Sequence, residues 1–264
     1  MMKHYALIGE KLGHSLSVPI HEAMFAHLHL DADYRLVEIP RDEHFADAVT
    51  ALMQQVDGFN ITIPYKQDVM PLLDRIDPKA AAIGAVNTVV CGEVCSGHNT
   101  DKAGFEQMLR YHGIDPAGQP CYVLGTGGAS KAIRVALQDM GAASVTMVSR
   151  HPGVGQVGYE QLTGLPGGVL VNCTPAGMYP HPEGCPLSDD ILDTVLSRSA
   201  GVADLIYNPP ETRLTAAAKA HGLPACTGLY MLIAQAVEAE RLWQPDTVIP
   251  ADMAATLMKE LKLL

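Results

Sequence analysis

The chain has 264 residues, 48% hydrophobic and 18% charged, which is long enough for one large or two modest domains with real cores and too apolar for disorder. Its formal net charge of −11, from 18 basic and 29 acidic residues, excludes the basic footprint of a nonspecific nucleic-acid binder. No apolar run reaches the ~18–20 residues of a membrane span.

Met1-Met2-Lys3-His4-Tyr5 leads straight into an apolar strand pattern, without the apolar region and cleavage site of a signal peptide; the expectation is a cytoplasmic protein. The first part of the chain then alternates strands and helices. Strands are predicted at Tyr5–Ile8, Tyr34–Ile39, Gly58–Ile61, Thr88–Cys91 and Val94–His98, and helices at Pro19–His29, Phe45–Met53, Lys66–Leu73 and Lys79–Ile83. A helix over Thr100–Tyr111 leads to a second alternation: strand Tyr122–Leu124, helix Lys131–Met140, then strands Ser144–Ser149, Val169–Asn172 and Val202–Ile206. Tyr230–Leu242 and Ala251–Leu264 are helical by period. The pattern predicts two α/β domains with mainly parallel sheets and a cleft between them. The boundaries read as 1–103, 104–229, and a C-terminal helical segment 230–264 that returns to the first domain.

Cys91, Cys95, Cys121, Cys173, Cys185 and Cys226 form no C-x-x-C pair, and a disulfide framework is not expected in a chain of this size. Cys91 and Cys95 bracket a hairpin and read as packing. The eleven histidines show no ligand spacing, so no metal site is expected.

Gly125-Thr126-Gly127-Gly128-Ala129-Ser130 follows a strand and opens a helix. It matches G-x-G-x-x-G/A except for Ser130 at the last small position. Gly125 suits the tight turn, and Gly127 lets a pyrophosphate approach the helix N-terminus. The end of the next strand selects the cofactor. An NAD site places an acid there, whereas this chain has Ser149-Arg150-His151; an arginine suits a 2′-phosphate, and NADP is the expected cofactor. The segment 151–168 carries six glycines in 18 residues, and a full helix is not expected there, since each interior glycine costs about 1 kcal/mol.

Four polar segments stand at strand ends in the first domain: Gly13-His14-Ser15-Leu16-Ser17, Asn60-Ile61-Thr62-Ile63-Pro64-Tyr65-Lys66, Gly84-Ala85-Val86-Asn87-Thr88 and Asn99-Thr100-Asp101. Ser15 and Ser17 offer donors to a carboxylate; Thr62, Asn87 and Asn99 can read hydroxyls. Lys66 and Asp101 are the lysine and the carboxylate of these segments, and such a pair can move a proton while a hydride moves elsewhere. Taken singly, Ser17 or Thr100 fits a helix cap, Asn60 a turn, and Lys66 a solvated surface.

These motifs together resemble the shikimate dehydrogenase family over nearly the whole chain. The resemblance extends to Ile20-His21, Asn172-Cys173-Thr174-Pro175-Ala176-Gly177-Met178, Tyr207-Asn208-Pro209, Gly228-Leu229-Tyr230-Met231-Leu232 and Gln235. It implies reversible NADPH-dependent reduction of 3-dehydroshikimate to shikimate, by a monomer or homodimer whose partner is that small molecule. By the same resemblance Ser15 and Ser17 bind the carboxylate. Thr62, Lys66, Asn87, Asp101, Tyr207 and Gln235 line the ring hydroxyls, with Lys66 and Asp101 as the catalytic pair. Gly125, Gly127, Gly128 and Ala129 hold the pyrophosphate and Arg150 the 2′-phosphate, with Thr126 and Ser149 also at the cofactor, and Thr174, Gly228 and Met231 flank the nicotinamide. The chain departs from the family pattern at Val18, Glu22, Lys102 and Ser149 and in its short 151–168 crossover. A paralogue acting on quinate or an aminoshikimate is the near alternative. A non-catalytic metabolite- or nucleotide-binding relative is expected to lose the lysine–aspartate pair, which this chain keeps. A folate-linked methylene dehydrogenase shares the two-domain plan but not the serine pair or Asn99-Thr100-Asp101.

Overall fold

The apolar run after Lys3 forms β1 (Lys3–Gly9), whose residues from Tyr5 onward are all buried. Strands buried on both faces read as continuous apolar runs, and β1 is an interior strand of a mixed sheet. The computed structural model describes residues 2–13, 15–41 and 44–261; His14 of the first polar segment and residues 262–264 of the last predicted helix lie outside the described residues. Two units result, one running to Asp101 and resuming at Ile233, the other running from Lys102 to Leu232.

In the first unit β1 is followed by α1 (Ser17–Leu28), β2 (Ala32–Glu38), α2 (Phe45–Met53), β3 (Gly58–Ile61), β4 (Arg75–Ile76), α3 (Pro78–Ile83), β5 (Thr88–Val90) and β6 (Ser96–His98). The strand order is β2-β1-β3-β5-β6-β4. β1 pairs in parallel with β2 and β3, whereas β5 runs antiparallel to both β3 and β6. Three of the five pairings are parallel, β4 with β6 being the third, so the expectation of mainly parallel sheets holds; β5 is the exception, because the turn at 91–95 returns the chain directly, with no crossover helix. Alternate residues of β1 face opposite cores. Ala6 and Ile8 pack with Phe59, Val49, Leu52 and Ala80. Tyr5 and Leu7 pack with Phe25, Ala239 and Trp243. Each of the larger aliphatic side chains and phenylalanines contributes about 1.5–3 kcal/mol by leaving water.

Two local signals place the site. Asp77 caps α3 by accepting from Lys79 N–H at 2.9 Å, Pro78 occupies its first turn, and Gly84 ends it with φ 72°. That stop feeds Asn87 into the start of β5. The predicted helix Lys66–Leu73 is instead a series of turns closing in one 3₁₀ turn, Met70–Leu72. Pro71 has no N–H to donate and blocks helix propagation. The predicted strand Val94–His98 is shortened to Ser96–His98 for the same hairpin turn.

The second unit contains α4 (Asp101–Tyr111) beyond its first residue, β7 (Pro120–Leu124), α5 (Gly128–Asp139), β8 (Ser144–Val148), β9 (Gln156–Val157), β10 (Val169–Asn172), α6 (Asp189–Leu196), β11 (Gly201–Asp204), α7 (Arg213–Ala220) and β12 (Ala225–Cys226). Its sheet, ordered β12-β11-β10-β7-β8-β9, is parallel throughout. The glycine-rich crossover holds only β9 and a 3₁₀ segment, Tyr159–Gly164, as its composition predicts. The chain returns to the first unit within α8 (Leu229–Trp243), which α9 (Met253–Glu260) follows. Among the described residues no helix is long and apolar enough to cross a membrane.

Candidate active site

In the first unit the site grows from the ends of β1, β3 and β5 and the start of α4. Lys66 Nζ donates to Asp101 Oδ2 at 2.6 Å, and the two side chains are 13% and 8% exposed. The other Asp101 oxygen, Oδ1, accepts from Asn87 Nδ2 at 2.9 Å. Asp101 opens α4, where the helix dipole favours a carboxylate. Asn87 is a hub. Its Nδ2 also reaches Thr100 Oγ1 at 3.0 Å and Gln235 Oε1 at 3.3 Å, and its Oδ1 accepts from Thr100 N–H at 2.8 Å and Thr88 Oγ1 at 3.0 Å. Lys66 is held from its backbone as well, its carbonyl accepting from Val86 N–H at 2.8 Å. An ammonium fixed on a buried carboxylate can deliver a proton along one direction while the carboxylate orients it.

Ser15 and Ser17 form a local pair, Ser15 Oγ donating to Ser17 Oγ at 3.1 Å and accepting from Ser17 N–H at 3.2 Å. Ser17 is the first residue of α1, with no side-chain cap bond at that terminus, so the cap reading of Ser17 is corrected. Thr62 follows β3, its N–H donating to Ile8 carbonyl at 2.9 Å. Asn99, weighed as a hydroxyl reader, donates Nδ2 to Ala85 carbonyl at 3.0 Å. Asn60 lies inside β3 rather than in a turn and is buried. Asn60, Thr88 and Thr100 lie in the quoted polar segments but carry no assigned site role there, because the sequence does not say which neighbours they meet; the pairing of β3, β5 and β6 brings them together.

In the second unit Gly125 has φ +96°, and a side chain there would meet Thr174 Cγ2 at 2.9 Å. Gly127 precedes α5, and a side chain on it would meet nothing within 4 Å. Thr126, Gly127, Gly128 and Ala129 thus surround a bare helix N-terminus, whose first N–H groups have no intrahelical partner. This open, positively polarised end fits a pyrophosphate. Ser130 Oγ turns inward to Gly127 carbonyl at 2.7 Å, so its departure from glycine or alanine leaves the loop intact. After β8, Ser149 Oγ is engaged with the His151 backbone at 3.2 Å. The exposed Arg150 borders an open recess of about 390 Å³ with Ser149, Gly158, Tyr159, Glu160 and Gln161. An arginine at such a recess fits a 2′-phosphate.

Thr174 and Tyr207 stand on loops after β10 and β11 that share one buried acid. Asn172 Oδ1 accepts from Thr174 N–H at 2.9 Å and Thr174 Oγ1 at 2.7 Å. Asn172 Nδ2 donates to Asp204 Oδ1 at 2.9 Å, and Asp204 Oδ2 accepts from Thr212 Oγ1 at 2.8 Å. Burial pushes the Asp204 carboxyl up to about 6. Burial also raises the Tyr207 phenol. Gly228 donates to Ile206 carbonyl at 2.9 Å, so close that a side chain would strike Leu205 carbonyl at 2.1 Å. Met231 is buried in α8. The six cysteines are free thiols, and burial and Cys95 push Cys91 up to about 12.

Comparison with known proteins places this arrangement. Residues 7–89 match the family model described as the shikimate dehydrogenase substrate binding domain. The NADP(+) shikimate dehydrogenase of Clostridium beijerinckii is 38% identical, over 92% of each chain. The crystal structure of a chorismate mutase/shikimate 5-dehydrogenase fusion protein from Clostridium acetobutylicum superposes with a TM-score of 0.92 at 37% identity, covering 100% of this chain and 98% of that one. Shikimate 5-dehydrogenase of Thermus thermophilus in complex with NADP(H) and shikimate gives 0.85 at 32% identity, covering 98% and 99%. With 38% identity to one such enzyme over 92% of the chain and a fold matched over its full length, the chain belongs to the shikimate dehydrogenase family.

Proposed function

We propose that this protein is a cytoplasmic NADP-dependent shikimate dehydrogenase, interconverting 3-dehydroshikimate and shikimate in the route to aromatic amino acids. The observation that carries the reading is the Lys66–Asp101 pair, at 2.6 Å and nearly buried, on the first unit, in a chain whose second unit opens α5 with a bare glycine loop. NADPH, when bound, supplies the hydride. Lys66 delivers the proton to the ketone oxygen, and Asp101 aims the ammonium while lining the ring hydroxyls beside it. Asn87 keeps Asp101 Oδ1 occupied, so that the carboxylate presents Oδ2 to Lys66.

Ser15 and Ser17 bind the substrate carboxylate, which an acidic protein must bind through local donors. Thr62, Asn87 and Gln235 read ring hydroxyls, and family resemblance adds Tyr207. Gly125, Thr126, Gly127, Gly128 and Ala129 hold the pyrophosphate through backbone N–H groups. Arg150, beside Ser149, meets the 2′-phosphate; Thr174, Gly228 and Met231 border the nicotinamide. The test is product identity: incubation with 3-dehydroshikimate and NADPH, followed by chromatography and proton NMR. Stoichiometric shikimate supports the reading; unchanged 3-dehydroshikimate refutes it.

A further inference from the structure

Tyr34 belongs to none of the groups given a role above, yet it stands between two of them. It lies on β2, 5% exposed. Its ring stacks on His21, with centroids 3.9 Å apart and planes within 7°. His21 is one helical turn after Ser17 on α1 and so on the same face. Its Nδ1 meets Glu240 Oε1 of α8 at 2.8 Å, both side chains fully buried. The imidazole is therefore clamped between an aromatic face and a carboxylate, and it fixes where the Tyr34 ring sits.

The Tyr34 hydroxyl donates to Asn60 Oδ1 at 2.8 Å, and the Ser17 side chain lies near enough to the same hydroxyl to favour its ionised form. Asn60 Nδ2 donates onward to Asn87 carbonyl at 3.2 Å and to Thr88 Oγ1 at 3.0 Å. Thr88 and Asn87 then lead to Asp101 through the bonds already described. A buried amide can sit either way round, and its partners decide. With Tyr34 donating, Asn60 must present oxygen to β2 and nitrogen to β5. Without that donor, Oδ1 is buried and unpaired, and the amide loses its reason to face Asn87.

We propose that Tyr34 is a positioning residue that couples the serine pair to the Lys66–Asp101 pair through Asn60. It touches neither substrate nor cofactor. It keeps the carboxylate end and the proton-delivery end of the site in register. The inference rests on the functional reading of those two pairs.

The test is a double-mutant cycle of Tyr34→Phe and Ser17→Ala, read as kcat and KM with shikimate and NADP. Thermal melting and equilibrium binding of NADPH by fluorescence accompany it. Phenylalanine keeps the stack on His21 and removes the hydroxyl alone. The expected result is about a tenfold loss of kcat/KM in Tyr34→Phe, shared between kcat and KM, with NADPH affinity unchanged. In the double variant the combined loss is smaller than the product of the single losses. Tyr34→Phe within twofold of an active wild type overturns the inference, as does a double variant whose losses simply multiply, or a melting drop with unchanged kinetics. Should Tyr34→Phe fail to fold, Asn60→Ser takes its place in the cycle with the same two outcomes. A wild type inactive on shikimate overturns the functional reading itself and this inference with it.

Discussion

Replacing Lys66 with alanine removes the ammonium and keeps everything else in the proposed site. General acid catalysis by a positioned side chain is worth about 10²–10⁴-fold, or about 2.7–5.4 kcal/mol of barrier at 1.36 kcal/mol per decade. The nearly buried pair at 2.6 Å argues for a well-positioned donor, so kcat for 3-dehydroshikimate reduction falls at least about 100-fold. The same deletion strands Asp101, whose Asn87 bond at 2.9 Å remains. Removing one partner of a buried ion pair costs about 3–5 kcal/mol, so the variant also melts lower. Lys66→Ala/Asp101→Asn separates the two effects: it relieves the stranded charge and recovers stability without recovering turnover. Rates are read from the reduced-nicotinamide absorbance under saturating substrate, and stability from urea unfolding. A Lys66→Ala kcat within tenfold of wild type, in a folded protein, refutes the proton-donor role.

The Ser15→Ala/Ser17→Ala variant should raise KM for shikimate by a decade or more, since hydrogen bonds to a charged group are worth about 1.5–3 kcal/mol each; an unmoved KM puts the carboxylate elsewhere. Arg150→Ala should weaken NADP selectively and leave NAD use nearly unchanged, bringing the two cofactors together in kcat/KM; equal loss on both would set Arg150 against the adenine instead. Asp204 gives a pH prediction. Its carboxyl is raised from 3.8 to about 6 in the folded protein, so the folded chain keeps a proton the unfolded chain has released. Its contribution is therefore full below about pH 4 and is lost as pH rises to about 6, by about 3 kcal/mol. Asp204→Asn should accordingly compare better with wild type at pH 7 than at pH 4 in urea unfolding, and a pH-independent difference contradicts the assignment.

The nucleotide-binding half was legible because its signals are contiguous: strand Tyr122–Leu124, the glycine turn and the helix after it are neighbours in sequence. Lys66 and Asp101 stood out as the charged residues of polar segments, but their contact spans 35 positions and is made by the β3-β5-β6 pairing, which no local pattern encodes. Asn60 reads as a turn residue because asparagine favours turns; its partners are Tyr34 on β2, Thr88 on β5 and Asn87 just before β5. The helices α6 and α7 have eight residues each, no shorter than α9 or α3, and the proline- and glycine-rich loops around them hide so short a period. The strands β4, β9 and β12 have two residues each, where alternation has no meaning.

The central claim, that this fold and this pair serve NADP-linked shikimate oxidation, is tested most directly by kcat/KM for shikimate and for quinate, each with NADP and with NAD. The account predicts the highest value for shikimate with NADP, with quinate and NAD each lower. A higher value for quinate, or for NAD with either substrate, would contradict it.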